Sequence, residues 1–258
     1  VRLSDVDITV LLQPGHRPQA QRHIDAAKAG LKYYGLQYGR YPYRTLTVVD
    51  PAPGAGGAGG MEYPTFITAG SAWLFNFWPF DRIRLVEEVT VHEFGHQFWY
   101  GLVGNNEFEE AWLDEGLNTW STGKAMVAAY GADATILEFL GLRLGERDVN
   151  RASNDRAGRY NRVLAKSWEY TPPGDYGFYS YYKPALALTT LEGYLGEQTM
   201  ARVMRTYHER WRFRHPRSED FFAVVNEVTG QDWSWYFDQV IRGTDLVDYD
   251  IGSARSRP

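Results

Sequence analysis

The stretch VHEFGHQFWYGLVGNNEFEEAWLDEG, from Val91 to Gly116, constrains this chain of 258 residues more than any other part of its sequence. The segment around its two histidines is predicted to be helical, and residues four apart on a helix lie on one face. His92 and His96 could therefore present both imidazoles to one ion about 2.0–2.1 Å away. Apolar residues at helical spacing extend the same face, which predicts that the face is buried.

Glu93 is rotated by about 100° from His92 on such a helix, so it can reach the edge of a metal site without being a ligand. A general base for a metal-activated water is expected at this position. Glu115 lies 19 residues beyond His96, and the loop between them lets the chain reverse before a second helix begins near Trp112. If the two helices pack antiparallel, Glu115 completes a His₂Glu set with one open position, which is a catalytic zinc arrangement.

The alternative is structural. An HExxH pattern occurs in helices by chance, and a histidine on an apolar face is often a core residue that donates to a neighbour. The spaced Glu115 favours the metal site. The acidic residues between the two helices, Glu107, Glu109 and Glu110, are predicted to be solvated surface and not ligands.

Composition limits the kinds of ligand and partner. The chain has no cysteine, so disulfides and thiolate-bound metals are excluded, and a metal site must use His, Asp or Glu. The net charge is −5 with no clustered basic face, so we expect no nucleic-acid partner. The most basic segment, 205–217, is predicted to be the solvated end of a helix. No apolar run approaches the ~20 residues needed to span a bilayer.

Hydrophobic periodicity predicts a strand-rich front third followed by a helical remainder, which indicates an α+β fold. The predicted strands cover 6–15, 45–52 and 61–70. The predicted helices are 19–38, 81–103, 112–130, 135–145, 182–195, 198–211, 218–229 and 233–241. Two segments are predicted to be loops: the glycine-rich 51–60, which lacks the features of a phosphate-binding loop, and the polar 150–162.

Three blocks, in this order, carry a family resemblance. GGMEY begins at Gly59, HEFGHQFW and WLDEG hold the histidines and Glu115, and YYKPALALTTLEGYLGE begins at Tyr181. Together they resemble the aminopeptidase-N family of gluzincin zinc peptidases, which also includes leukotriene hydrolase. The C-terminal FFAVVNEVTGQDWSWYFDQVIRGTDLVDYDI is similar to the end of that family's catalytic domain. The resemblance covers roughly residues 16 to 250.

The resemblance implies a role for each block. One Zn²⁺ per chain would be bound by His92, His96 and Glu115, and Glu93 would polarise the attacking water. The other roles concern the substrate. Glu62 would bind its free α-amino group, an edge strand would receive its backbone, and Tyr181 would donate a hydrogen bond to the oxyanion. The edge strand consists of Gly59, Gly60 and Met61.

The resemblance also implies an architecture and a partner. We expect a thermolysin-like catalytic domain over 16–250, with a strand-rich N-terminal lobe, a helical C-terminal lobe and zinc in the cleft between them. Residues 1–15 would be the tail of a preceding β domain and 251–258 a C-terminal tail. The partner would be a peptide with a free N-terminus. Because the family carries further domains, we expect a piece of a longer protein, secreted or in the cell envelope rather than cytoplasmic.

Three positions depart from the family pattern. Tyr63 replaces the Asn after Met-Glu, Thr122 replaces an acidic residue seven positions after the third ligand, and Pro184 replaces a Gly. An acid at 122 would help to orient a ligand, so its loss bears on zinc binding. The expected function is a zinc aminopeptidase. The alternatives are a zinc endopeptidase or epoxide hydrolase on the same site, or a catalytically silent peptide-binding domain.

Overall fold

The computed structural model describes residues 5–131, 136–156, 161–172 and 174–244. It is a mixed α/β structure with a small sheet at the front and helices behind. Six strands are described: β1 (Asp7–Leu11), β2 (Thr45–Val49), β3 (Gly60–Met61), β4 (Phe66–Ala69), β5 (Leu137–Phe139) and β6 (Leu142–Leu144). The helices are α1 (Ala20–Gln37), α2 (Leu85–Gly95), α3 (Glu107–Glu110), α4 (Glu115–Tyr130), α5 (Glu146–Arg156), α6 (Asp175–Gly177), α7 (Lys183–Leu195), α8 (Glu197–Trp211), α9 (Ser218–Thr229) and α10 (Ser234–Phe237).

The main sheet has the strand order β1–β2–β4–β3. Strands β1, β2 and β4 are parallel, and α1 forms the crossover between β1 and β2. The two-residue strand β3 is antiparallel to β4 and lies at the edge of the sheet. Because α2 packs against β3 and β4, the residues of β3 lie beside the histidine helix. Whether 1–15 belong to a preceding domain stays a prediction, although β1 pairs with β2 along its full length.

A partly buried ion pair fixes α2 against α1. The Arg22 guanidinium donates from Nε to Glu87 Oε1 over 2.7 Å and from Nη2 to Glu87 Oε2 over 2.6 Å. The same Nη2 also donates to the carbonyl of Ile83, just before α2 begins. Two parallel hydrogen bonds between planar groups restrict orientation as well as distance. The pair therefore sets the register of α2 on α1.

Two indole N–H groups fix α4 and the segment before it. Trp112 is fully buried, and its Nε1 donates to Ser218 Oγ at the start of α9 over 2.8 Å. Trp99 Nε1 donates to Ser121 Oγ on α4 over 2.9 Å. A buried indole needs such an acceptor because an unpaired N–H is costly. These bonds fix the position of the N-terminus of α4.

Several sequence predictions are confirmed. The helices predicted at 19–38, 182–195, 198–211 and 218–229 appear as α1, α7, α8 and α9. The segment 233–241 forms α10 and one π-helical turn, and 112–130 is helical from Glu115 onward. The predicted strand within 61–70 is instead two short strands, because the chain turns at Thr65, where φ is 62°. Among the described residues, no helix is both long and apolar enough to cross a membrane.

The helix predicted over 81–103 is wrong at both ends. It begins at Leu85 because the residues before it bond elsewhere: the Arg84 N–H donates to the carbonyl of Ile136. It ends at Gly95, after which the carbonyl of His96 accepts from Gly101 N–H and the carbonyl of Leu102 accepts from Phe213 N–H. The Tyr100 N–H, which a longer helix would donate to His96, donates instead to the carbonyl of Val103, and Tyr100 has a positive φ of 87° that a helix does not allow.

Two further assignments between 135 and 162 are wrong. The part of the predicted helix that the structure describes is the hairpin of β5 and β6. Leu140 and Gly141 connect the two strands with positive φ values, as the two-residue turns of hairpins require. The predicted loop is helical as far as Arg156, because α5 packs against α7. Residues 132–135 and 157–160 lie outside the described residues.

Two buried histidines should make the folded state less stable as the pH falls. Burial lowers the pKa of His208, among the rings of Tyr38, Phe98 and Trp99, to about 4, and burial does the same for His23. Both are neutral when folded but take up a proton near pH 6.5 when unfolded. Their stabilising effect is complete above pH 6.5 and is lost as the pH falls toward 4. Each contributes a slope of about 1.4 kcal/mol per pH unit in that window.

We therefore expect His208→Phe to reduce the pH dependence of the free energy of unfolding between pH 6.5 and 4 by about 1.4 kcal/mol per unit. Urea unfolding at several pH values measures this slope. An unchanged denaturant m-value at pH 7.5 controls for a native fold. If wild type and variant lose stability in parallel over this window, His208 does not have the assigned protonation state.

Candidate metal centre

Three side chains from two helices converge. His92 lies in the last turn of α2, His96 caps its C-terminus, and Glu115 is the first residue of α4. His92 Nε2 and His96 Nε2 are 3.2 Å apart, and Glu115 Oε2 lies 3.3 Å from the first nitrogen and 3.1 Å from the second. All three predicted ligands are therefore brought together. This triangle of donor atoms faces the cleft.

The triangle fits a zinc ion. A tetrahedral Zn²⁺ with ligands about 2.0–2.1 Å away holds its ligand atoms about 3.3 Å apart, close to the three observed separations. Two imidazole nitrogens and one carboxylate oxygen are donors that zinc accepts. Both histidines are buried, and Glu115 is half-buried. Three protein donors are one fewer than tetrahedral zinc takes, which is the ligand count of a catalytic site.

The glycine inside the histidine motif allows this approach. A Cβ at Gly95 would overlap Asn118 Oδ1 on α4 and the hydroxyl of Tyr34 on α1. Asn118 Nδ2 donates to the carbonyl of His92 over 2.8 Å, and Tyr34 Oη donates to Asn118 Oδ1 over 3.2 Å. Only glycine permits α2 and α4 to lie this close. The crossing sets the distance between the histidines and Glu115.

Asp114 orients His96. Its Oδ1 accepts from His96 Nδ1 over 2.6 Å, and both side chains are buried. A proton held on Nδ1 leaves the Nε2 lone pair directed at the metal position. The sequence analysis did not identify Asp114, although it stands directly before Glu115. No spacing rule indicates which ring nitrogen a neighbouring carboxylate will meet.

Tyr181 orients Glu115 in this structure. Its hydroxyl donates to Glu115 Oε1 over 2.5 Å, while Oε2 of the same carboxylate faces the histidines. The Tyr181 ring stacks on His92 with centroids 5.8 Å apart. It lies in a π-helical turn, Phe178–Tyr182, that precedes α7. Burial, with the Glu115 carboxylate beside it, raises the pKa of Tyr181, so the phenol stays a donor.

Glu93 is buried against the edge strand. A Cβ at Gly60 would overlap Glu93 Oε1, so β3 can lie against this carboxylate only because residue 60 is glycine. Burial raises the pKa of Glu93 to about 7, against the opposing effect of His92 and His96. Glu93 thus lies beside the predicted ligands without joining the triangle. That is the position expected of a proton acceptor.

Gln97, the residue after the second histidine, holds the segment that contains Met61 and Glu62. Gln97 is buried, and its Oε1 accepts from Thr65 N–H over 2.8 Å. Its Nε2 lies 3.1 Å from the carbonyl oxygen of Glu62 and 3.2 Å from that of Tyr63. One side-chain amide therefore ties the loop between β3 and β4 to the end of α2. The sequence analysis did not single out Gln97.

A second acidic group lies beside the triangle. Carboxylate oxygens of Glu62, Glu107 and Asp114 come within 4.8 Å of one another. Burial, with the Glu62 and Glu115 charges nearby, raises the pKa of Glu107. The sequence analysis predicted solvated surface at Glu107, and in the structure this side chain is half-buried and lines the cleft. Its position follows from α3, which the sequence analysis did not predict.

The cleft has a volume of about 500 Å³. Predicted site residues from all three sequence blocks line it: Gly60, Met61, Glu62, His92, Glu93, His96, Glu115 and Tyr181. Among the described lining residues there is no lysine or arginine. Gly59 is not part of the lining, and its carbonyl accepts from Gly70 N–H over 2.6 Å.

The three departures from the family pattern have different surroundings. Thr122 is fully buried on α4, 3.4 Å from the hydroxyl of Tyr34, and the orienting carboxylate near the histidines is Asp114 instead. Tyr63 is exposed and its ring contacts Phe66. Pro184 stands at the start of α7, directly after the π-helical turn Phe178–Tyr182, so it removes one backbone donor where the two helical segments join.

The sequence of this chain matches the Peptidase family M1 domain over residues 22–240. The chain therefore belongs to peptidase family M1. It is 24% identical to Aminopeptidase 2 of Candida albicans over 258 residues, covering 96% of this chain and 26% of that protein. It is 23% identical to a probable aminopeptidase 2 of Sulfurisphaera tokodaii, covering 89% of this chain and 29% of that protein.

Solved structures show the same fold. Yeast LTA4 hydrolase aligns with a TM-score of 0.70 at 17% identity, over 95% of this chain and 39% of that chain. Legionella pneumophila aminopeptidase A in complex with aspartic acid aligns with a TM-score of 0.67 at 16% identity, over 92% and 26%. A zinc metallopeptidase of this family from Deinococcus radiodurans aligns with a TM-score of 0.64 at 17% identity, over 98% and 53%. The chain spans about a quarter of the length of the curated relatives.

Removing the acceptor of His96 should weaken metal binding. We expect Asp114→Leu to lower zinc affinity about 10–100-fold, because Nδ1 loses the partner that fixes the ring and tautomer. Asp114→Asn keeps a carbonyl acceptor and should retain most of the affinity. Competition with a chromogenic chelator measures both. Equal affinities for wild type and Asp114→Leu would show that this hydrogen bond does not prepare the site.

A side chain at residue 60 should displace Glu93 and leave zinc binding intact. We expect Gly60→Ala to keep one zinc per chain and to lower kcat at least about 10²-fold, the scale typical of general acid–base catalysis, because its methyl group displaces Glu93. Gly57→Ala, where an added Cβ meets nothing within 4 Å, is the matched control. Loss of zinc from Gly60→Ala would contradict this reasoning.

Proposed function

We propose that this chain is the catalytic domain of a zinc aminopeptidase that hydrolyses the N-terminal bond of peptides. The observation that carries the proposal is the triangle of His92, His96 and Glu115, with Glu93 beside it and a carboxylate cluster at one end of the same cleft. Membership of peptidase family M1 supports it. The curated relatives named above are themselves described as aminopeptidases.

The ligand set holds the metal, and Glu93 moves the proton. A zinc ion bound there supplies a water with a pKa of about 7 and polarises the scissile carbonyl. Glu93 accepts the proton of the attacking water and delivers it to the leaving amine. Its burial serves this role, because a carboxylate with a pKa near neutrality both takes and releases a proton.

The carboxylate cluster selects the substrate terminus. Carboxylate oxygens of Glu62, Glu107 and Asp114 lie within 4.8 Å of one another. An α-ammonium group bound between Glu62 and Glu107 neutralises part of this concentrated negative charge. The scissile bond then lies one residue away, at the metal. An N-acylated peptide has no charge for this cluster and would leave its carboxylates unpaired. This difference makes the enzyme an exopeptidase.

Two further elements position the substrate. Gly59, Gly60 and Met61 offer the edge of the sheet, along which an extended peptide can add by main-chain hydrogen bonds. The Tyr181 hydroxyl, beside Glu115, is a donor that can turn to the developing oxyanion, which would replace its bond to the carboxylate. Neither the edge strand nor the Tyr181 hydroxyl binds the metal, so both roles can be tested separately from zinc binding.

The wider organisation of the protein is part of the same proposal. The catalytic domain would occupy 16–250 with a thermolysin-like arrangement of two lobes around zinc, flanked by the short segments 1–15 and 251–258. The relatives are about four times as long as the region matched, which supports further domains in the whole protein. Its substrates would be peptides with a free N-terminus.

The zinc-loaded chain should release a reporter from an alanyl substrate and should not cleave its N-acetylated form. A chelator should abolish the activity, and added zinc should restore it. Glu93→Gln should keep zinc and lose turnover by about 10²–10⁴-fold, the range of general acid–base catalysis. Glu62→Gln should raise KM for the substrate with a free N-terminus and should leave the zinc content close to that of wild type.

The outcomes separate the alternatives. Equal cleavage of free and acetylated substrates would indicate an endopeptidase and would remove the amine-binding role of Glu62. Full zinc occupancy without turnover of any peptide would indicate a binding domain. The exposed Glu209→Gln gives the same charge change as Glu62→Gln and should behave as wild type.

A further inference from the structure

We propose that the cleft contains a subsite, formed by Glu88, Thr119 and Asn150, that selects a lysine or arginine as the second residue of the substrate. This inference rests on the proposed aminopeptidase function, because that function fixes where the second residue lies. We call these three side chains the Glu88 subsite. All three line the cleft that holds the metal triangle.

The direction of a bound peptide follows from the positions of the groups along α2. The carboxylate cluster lies at the His96 end of the helix, since Asp114 bonds to His96 and the Glu62 carbonyl accepts from Gln97. Glu88 lies one turn before His92, on the other side of the triangle. A peptide with its ammonium at the cluster must therefore run past the metal toward Glu88.

Distances along the helix and the substrate agree. Four residues of α-helix rise about 6 Å, and an extended peptide advances about 3.3 Å per residue. Glu88 is therefore within about two residues of the scissile bond on the leaving-group side. The side chain of the second substrate residue falls into this part of the cleft.

The polar groups of the subsite have no partners within the described part of the chain. Asn150 is 8% exposed and Thr119 is 5% exposed, yet Asn150 Oδ1 and Thr119 Oγ1 form no hydrogen bond there. No described residue forms a hydrogen bond or ion pair with the Glu88 carboxylate. Buried polar atoms in folded proteins are normally satisfied, so unsatisfied atoms on two residues that line one cleft indicate a ligand that completes them.

The chemistry of these groups specifies a cation. The Glu88 carboxylate and Asn150 Oδ1 are acceptors, and the Thr119 hydroxyl can also accept. An ammonium or guanidinium group supplies several donors and the matching charge. Apolar side chains line the same cleft, and the long methylene stem of lysine or arginine can pack along them. They are Leu85, Val89, Ile136 and Val149.

The test compares three tripeptides with free N-termini: Ala-Lys-Ala, Ala-norleucine-Ala and Ala-Glu-Ala. Norleucine keeps the stem of lysine and lacks its charge. Calorimetry on the zinc-loaded Glu93→Gln protein measures binding without turnover, and kcat/KM is measured on wild type. We expect the lysine peptide to bind at least about tenfold more tightly than the norleucine peptide and the glutamate peptide to bind most weakly.

The variants assign the effect to the subsite. In a Glu88→Gln background the preference for lysine over norleucine should disappear, and Asn150→Leu should reduce it in part. Glu209→Gln, with the same charge change far along the chain on α8, should keep the wild-type preference.

Equal binding of the lysine and norleucine peptides, or a lysine preference that survives Glu88→Gln, would refute the subsite. Failure of the proposed function is a separate result. Cleavage of no peptide by the zinc-loaded wild type would overturn the aminopeptidase, while the binding series still decides whether Glu88 recognises a cation. Cleavage of all three peptides at one rate, with equal binding, would retain the enzyme and remove the subsite.

Discussion

The close contact between α2 and α4 at Gly95 is the constraint on which the rest of the site depends. The side chain of Asn118 fills the space where a Cβ would stand, and it also binds the carbonyl of His92. A wider crossing would move Glu115 away from both imidazoles, because this carboxylate is the first residue of α4. The aromatic packing around Tyr34 and the ion pair between Arg22 and Glu87 hold α2 from its other side.

Each of the three predicted metal ligands is held by a hydrogen bond with another residue, at the side chains of His96 and Glu115 and at the backbone of His92. His96 is oriented by Asp114, Glu115 by Tyr181, and the backbone of His92 by Asn118. The donors are therefore arranged before any ion arrives, and binding need not order them. The carboxylates gathered at this site would be compensated by a divalent cation, which the two imidazoles would bind in their neutral form.

The sequence predicted those features that local spacing determines. The four-residue spacing put His92 and His96 on one face, and hydrophobic periodicity located α1, α7, α8 and α9. It could not predict where α2 ends, because Tyr100 takes a positive φ and its N–H donates to the carbonyl of Val103 and not back into the helix. It also missed the hairpin after α4, whose turn at Leu140 needs positive φ values. Glu107 and Asp114 were missed because their function comes from the folding of the connecting loop.

The Gln97 amide has a consequence for how the molecule tolerates change. It ties the loop that carries Glu62 to the end of α2 next to His96, so side-chain hydrogen bonds as well as strand pairing fix the position of Glu62 relative to the predicted metal ligands. Insertions or deletions in the glycine-rich segment upstream of Gly59 would therefore leave the position of Glu62 relative to His96 unchanged. In the proposed aminopeptidase, the distance between the bound amine and the scissile bond would therefore not change with the length of the surrounding loops.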